Sequence, residues 1–180
     1  MYTWSERCRS HARIFLRSGE DVNERWSMIK YWSNSDGELH RYGKEDITED
    51  QLPFMLKKAY NGAYLQVPGL YSYLVETSAG YGISYEMHLD EGYVRSFGLS
   101  MKEAFDAITK LLVEYRHKPG LRGCDIFLFE DTEWDGHEIV FVVPADVSKK
   151  RLKMVSETVI KFEEELDKIL KNMKEERKNV

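Results

Sequence analysis

LKMVSETVIKFEEELDKILKNM, residues 152–173, is the stretch on which the fold turns. Leu152, Val155, Val159, Phe162, Leu166, Ile169 and Met173 recur at spacings of 3, 4, 3, 4, 3 and 4. Such a seam runs along one side of a helix, and no strand can use it. Glu157 and Lys161, Glu164 and Lys168, and Asp167 and Lys171 stand four apart with the acid first, the order that supports a helix. The spacing predicts a long helix over residues 147–176. Its stripe needs a receiving surface, because packing rather than propensity supplies most helix stability. That surface is either the chain's own sheet or a second copy of the chain. The seven seam residues are therefore candidate interface residues of a homodimer.

Directly upstream, residues 124–130 and 138–143 read as a hairpin that turns through residues 131–136. Both arms are apolar without alternation, as in central strands covered on both faces. Pro144 ends the second arm, and Asp146 or Ser148 caps the long helix. Before the hairpin, Ser100 and Glu103 match a capping box and open a helix. It buries Ala104, Phe105, Ile108, Leu111, Leu112 and Tyr115, and stops at residues 117–120.

Further upstream the period is two. Tyr81, Ile83, Tyr85, Met87 and Leu89 alternate with Gly82, Ser84, Glu86 and His88. This predicts a strand with one buried face and one wet face. Residues 70–77 and 93–97 flank it as strands of a meander. Thr48 and Gln51 make another capping box, with Ile47 and Leu52 as its staple. Pro53 pushes the start of that helix to Asp50. Its stripe is Leu52, Met55, Leu56, Ala59, Tyr60 and Ala63.

The first 45 residues read as a helical extension. Residues 5–17 place Trp4, Cys8, Ala12 and Phe15 on one helical face and Arg9, Arg13 and Arg17 on another. A second helix is expected over residues 21–31, followed by a polar loop over residues 32–41. The expected fold class is α+β: an antiparallel sheet of five strands in the order α-β3-α-β2-α, over residues 46–180, behind an N-terminal helical extension over residues 1–45.

The stretches ITEDQLPFMLKKAYNG (47–62) and EIVFVVPADVSKKRLKMVSETVIKFEEELDKIL (138–170) sit in this layout as an opening helix and a closing strand and helix. In element order over residues 46–172 the chain resembles the type III secretion chaperone-like fold group. The resemblance implies a homodimer that binds partner proteins and has no catalytic residues. The first 45 residues have no counterpart in it.

Composition narrows the function classes. The chain has 180 residues, two cysteines and a net charge of −5. Cys8 and Cys124 are too few for a disulfide framework or a zinc site. Residues 147–180 carry ten basic and seven acidic side chains, which leaves the rest of the chain strongly acidic. An acidic body disfavours nucleic acid as a partner. Glutamine occurs only at positions 51 and 66, a bias that suits a thermophile. No secretory signal and no long apolar run is present, so a cytoplasmic protein without a membrane partner is expected. The phosphate-loop, dinucleotide, zinc-protease and nucleophile-elbow motifs are absent, and no cofactor is expected.

Three groups of residues could carry chemistry. Glu86, His88 and Asp90 share the wet face of one strand and could ligate a metal or work as acid and base. Asp131, Glu133 and Asp135 resemble half of a calcium loop whose closing Glu is missing, with His137 and Glu138 as further ligand types nearby. Arg9, Arg13 and Arg17 form a basic stripe, and Trp134 at a hairpin tip could anchor a partner. The leading expectation is a non-catalytic, chaperone-like or adaptor-like interaction module acting as a homodimer. The alternatives are a metal-dependent hydrolase, including a nuclease, built on the acidic and histidine cluster, and nucleic-acid binding through the Arg stripe.

Overall fold

The computed structural model describes residues 12–17, 28–33, 38–41, 46–60, 70–77, 80–131 and 136–180. Within them, eight strands form one sheet: β1 (Arg13–Arg17), β2 (Ile29–Ser33), β3 (Leu39–Arg41), β4 (Asp46–Ile47), β5 (Tyr71–Thr77), β6 (Gly80–Asp90), β7 (Asp125–Asp131) and β8 (Gly136–Pro144). Their order in space is β1-β7-β8-β6-β5-β2-β3-β4. Strand β1 runs parallel to β7, and every other pairing is antiparallel. Four α-helices among the described residues accompany the sheet: α1 (Phe54–Lys58), α2 (Glu91–Ser96), α3 (Met101–Tyr115) and α4 (Lys149–Lys178).

This mixed sheet of eight strands corrects the expected five-stranded antiparallel sheet with a helical N-terminus. Arg13–Arg17, expected in a helix, adds to the outer edge of β7, with Phe15 paired to Phe127. The edge of an apolar strand needs a backbone partner, and aromatic and β-branched side chains fit the pleat. Residues 29–31, expected at the end of a second helix, and residues 32–33, expected in the polar loop, form β2, which pairs with β5; β3 falls within that expected loop and β4 after it. Residues 1–11 and 18–27, with Trp4, Cys8 and Trp26, lie outside the described residues.

The meander is corrected as well. Residues 93–97, expected as a third strand, lie in and just after helix α2. Asp90 caps it by accepting from the Tyr93 N–H at 2.7 Å. Gly98 closes it at φ 70, a left-handed conformation in which glycine has no Cβ penalty. The capping box of Thr48 and Gln51 exists, but it closes a single 3-10 turn (Glu49–Gln51). Pro53 then stands at the N-cap of the short α1, consistent with the proline conflict.

Helices α3 and α4 cover one face of the sheet. Leu152, Val155, Val159, Phe162 and Leu166 on α4 are at most 1% exposed. Phe162 packs edge-on against Tyr115 of α3 and Phe141 of β8, at centroid distances of 5.3 and 5.5 Å. Ile169 and Met173 are only partly buried, and Leu170 takes over the buried line. A straight helix drifts against a strict seven-residue repeat, and that drift moves the stripe by one position. The seam proposed as a dimer interface is thus received inside the chain, by the sheet and α3. Ser148 caps α4 by accepting from the Arg151 N–H at 3.2 Å. No helix among the described residues is long and apolar enough to cross a membrane.

The opposite face carries a second cluster, Val75, Phe127, Val140 and Val142, with Phe15, Met28, Tyr73 and Phe129 packed on it. All of these except Met28, which directly precedes β2, are strand residues. The polar residues of β6 project on this face.

Candidate metal centre

The alternation of β6 separates its side chains cleanly. Ile83, Tyr85, Met87 and Leu89 enter the core under the helices. Ser84, Glu86 and His88 point to the other face. On that face His88 lies directly across from Glu138 of β8, and Glu86 lies across from Val140. Cross-strand neighbours on one face are close enough for direct interaction. One ligand atom each from Glu86, His88 and Glu138 falls within a 4.8 Å span.

A fourth group arrives from a distant strand. Lys30 of β2 crosses the face of β5, with its ammonium 5.3 Å from the centre of the Tyr73 ring. It ends 2.5 Å from Glu86 Oε1 and 3.2 Å from Glu138 Oε1. His88 Nε2 stands 3.6 Å from Glu86 Oε2 and 3.9 Å from Glu138 Oε1. Glu86 is 2% exposed, whereas His88 is 52% exposed and forms the rim. A carboxylate this buried requires a nearby cation, and Lys30 is that cation here.

The environments pull the four groups apart. Burial opposes ionising Glu86, yet the nearby His88 imidazole and the Lys30 ammonium outweigh burial and hold its pKa below the usual carboxylate range. Glu138 goes the other way, pushed up by burial and by the charge of Glu86. The neighbouring Glu86 carboxylate raises His88 against the opposing effect of burial. Burial disfavours a charged Lys30, but Glu86 and Glu138 more than offset it and raise the ammonium pKa. One carboxylate is thus kept ionised while its neighbour holds protons more tightly, a split that suits acid and base work.

Two of the three residues expected on the wet strand face meet here, Glu86 and His88. Asp90 does not join them, because its carboxylate caps α2. His137 turns to the opposite face, where its Nε2 lies 3.0 Å from the Met101 carbonyl and its ring packs on Phe105 at 5.4 Å. Its neighbour Glu138 is the residue of that pair which reaches the centre. Residues 132–135, including Glu133, Trp134 and Asp135, lie outside the described residues, as do Arg9 and the side chains of Arg17 and Asp131. Arg13 is exposed on edge strand β1, remote in sheet order from β6. A helical reading of residues 21–31 leaves Lys30 out of the site. The run Ile29-Lys30-Tyr31-Trp32 holds the β-branched and aromatic residues that would have signalled a strand.

A cleft of about 710 Å³ opens beside the centre, between the end of β6 and α4. Glu86 and His88 line one side of it, and Glu163, Glu164 and Asp167 of α4 line the other. No protein-family model, curated protein or solved structure matches this chain.

Proposed function

We propose that the protein is a metal-dependent hydrolase whose divalent-metal centre is Glu86, His88 and Glu138. The observation that carries the reading is the convergence of three ligand atoms from two neighbouring strands within 4.8 Å, one of them on a carboxylate that is 2% exposed. The donor set fits the group. Two carboxylates and an imidazole suit a borderline cation such as Zn²⁺ or Mn²⁺. The strands hold them rigidly, and the exposed His88 leaves an approach from solvent.

A bound metal of this type supplies a polarised, readily deprotonated water. The chain's own residues would do the rest. Glu138, whose proton is held above the usual range, gives it up when it becomes a ligand, so metal uptake is coupled to proton release. Lys30 neutralises Glu86 before loading. Its ammonium then stays beside the centre, where it can stabilise negative charge developing on a substrate oxygen. The interaction-module reading drew its strength from a seam in want of a second surface, and α3 and the sheet provide that surface within the chain.

The test is calorimetric titration of Mn²⁺ and Zn²⁺, with thermal unfolding in parallel. A ligand at about 100 times its Kd stabilises the folded state by about 2.7 kcal/mol. Wild type is expected to bind one ion and show this shift, and Glu138→Gln and His88→Ala are expected to weaken binding about tenfold or more. Equal binding by wild type and both variants, or no binding at all, sinks the proposal.

A further inference from the structure

We propose that the cleft between the end of β6 and α4 binds a small cation on an apolar stem, an alkylammonium or polyamine-like group, as the substrate end of the proposed centre. The inference rests on the metal-centre reading for its location and adds the class of substrate.

The argument begins with the end of the sheet. Strand β5 reaches β6 only as far as the pair Tyr71 with Glu86. Beyond it, residues 87–90 of β6 pair with β8 alone among the described residues. The space on the vacated side is the cleft, about 710 Å³, large enough for a ligand of several heavy atoms. Its apolar lining comes from Met87, Leu89, Ile160, Leu166 and Leu170. Tyr71 and Tyr93 stand at its sides, and both rings are well exposed. Aromatic faces beside carboxylates form the surroundings that hold ammonium groups.

Charge then selects the ligand. Five acidic residues border the cleft, Glu86, Asp90, Glu163, Glu164 and Asp167, and no lysine or arginine does among the described residues. Three of the five have partners at hand, Glu86 being paired with the Lys30 ammonium at 2.5 Å. Asp90 accepts from a backbone N–H, and Asp167 accepts from the Tyr93 hydroxyl and pairs with Lys171 at 2.6 Å. Glu163 sits one helical turn from Asp167, a like-charge spacing that costs the helix stability. Burial and the charges of Asp167 and Glu164 hold its carboxyl above the usual range. A cationic ligand relieves that repulsion. A phosphodiester backbone would add to it, so a nucleic acid is the substrate this cleft rejects.

The experiment uses spermine as the cationic probe and a single-stranded oligodeoxynucleotide as the anionic one, each titrated calorimetrically into the metal-free protein at low and moderate salt. Spermine is expected to bind wild type, and Glu163→Gln combined with Glu164→Gln is expected to weaken it about tenfold. The oligonucleotide is expected to give no heat. Spermine binding that is absent, or that is unchanged in the double variant, overturns the inference, as does tighter binding of the oligonucleotide. Mn²⁺ titrated into the same samples reads the metal centre separately. Loss of the metal signal with spermine binding intact would fail the centre and leave the cleft, and the reverse pattern would fail only the cleft. With Mn²⁺ bound, the methylene resonances of spermine should broaden by paramagnetic relaxation, which places the stem beside Glu86 and His88. Spermine bound in the cleft without that broadening overturns the assignment of the ligand as substrate of the centre.

Discussion

Replacing Lys30 by methionine tests the electrostatic account of the sheet face most directly. Lys30 lies 2.5 Å from Glu86 and 3.2 Å from Glu138, on carboxylates that are 2% and 17% exposed. At an effective dielectric of about 20, each attraction is roughly 5–7 kcal/mol before solvation is counted. Most of that is offset by the cost of taking the charges out of water, and breaking a buried pair at one partner costs about 3–5 kcal/mol net. The lysine retains 21% exposure, which places the expected loss near the lower end, about 3 kcal/mol. For a chain of this length that is a fall in Tm of roughly 6–12 °C. The pH dependence carries a definite sign. Without Lys30, the Glu86 carboxyl in the folded protein titrates above its unfolded value. A carboxyl raised on folding contributes stability below its unfolded pKa and loses it as pH rises through the folded pKa. The deficit of Lys30→Met should therefore be larger at pH 8 than at pH 5, and Lys30→Met with Glu86→Gln should recover most of it. Thermal and urea unfolding at both pH values measure this. A deficit below about 1 kcal/mol, or one equal at the two pH values, would refute the picture of a buried carboxylate held by one ammonium.

Phe162→Ala should cost about 3–5 kcal/mol, since the ring is fully buried between Tyr115 and Phe141. Urea unfolding measures it, and a loss under 1 kcal/mol would mean the seam does not pack on its own sheet. The Tyr93 phenol is pushed up to about 12 by burial and by its bond to Asp167. Its contribution is present below the unfolded value near 10 and is lost as pH rises toward 12. Ultraviolet titration of wild type against Tyr93→Phe should accordingly remove one late-titrating phenol, and a difference spectrum with a midpoint near 10 would contradict the bond.

The helices and central strands were legible because their signals are local and redundant. The α4 seam holds over three repeats, the Ser100 and Glu103 box closes as expected with bonds of 2.7 and 3.2 Å, and the sequence of β6 alternates apolar and polar residues, although Ser84 and Glu86 on the side expected to be wet are buried. The errors fall where a short segment fits two periods. Arg9, Arg13 and Arg17 recur at helical spacing, yet Arg13, Phe15 and Arg17 also share one side of a strand. Residues 90–97 read as turn and strand because Asp90, Glu91 and Gly92 resemble a turn, whereas Asp90 is an N-cap and Val94 and Phe97 are three apart on a helix. Half of the candidate centre, Glu86 and His88, followed from alternation along one strand. Glu138 offers a ligand type near the hairpin turn without a recognised spacing, and Lys30, in a run that fits a helix, gives no site signal in the sequence.

What the sequence determined by itself was each element whose face is written in its own spacing: α3, α4, β6 and the β7–β8 hairpin. The apolar periods of α3, α4 and β6, and the short β-branched and aromatic runs of the hairpin bounded by turn residues, leave one choice of conformation, and burying those faces then follows from the hydrophobic effect. What only the tertiary structure decided was the company those elements keep. An edge such as that of β7 recruits whatever extended segment is near, so residues 13–17 became a parallel strand through pairing partners more than a hundred positions away. In the same way, Lys30 and Glu138, separated by 108 positions, meet over Glu86 because the strand order brings β2 and β8 to opposite flanks of β5 and β6. Local spacing cannot encode a contact of that range, because it arises only when the whole sheet has closed.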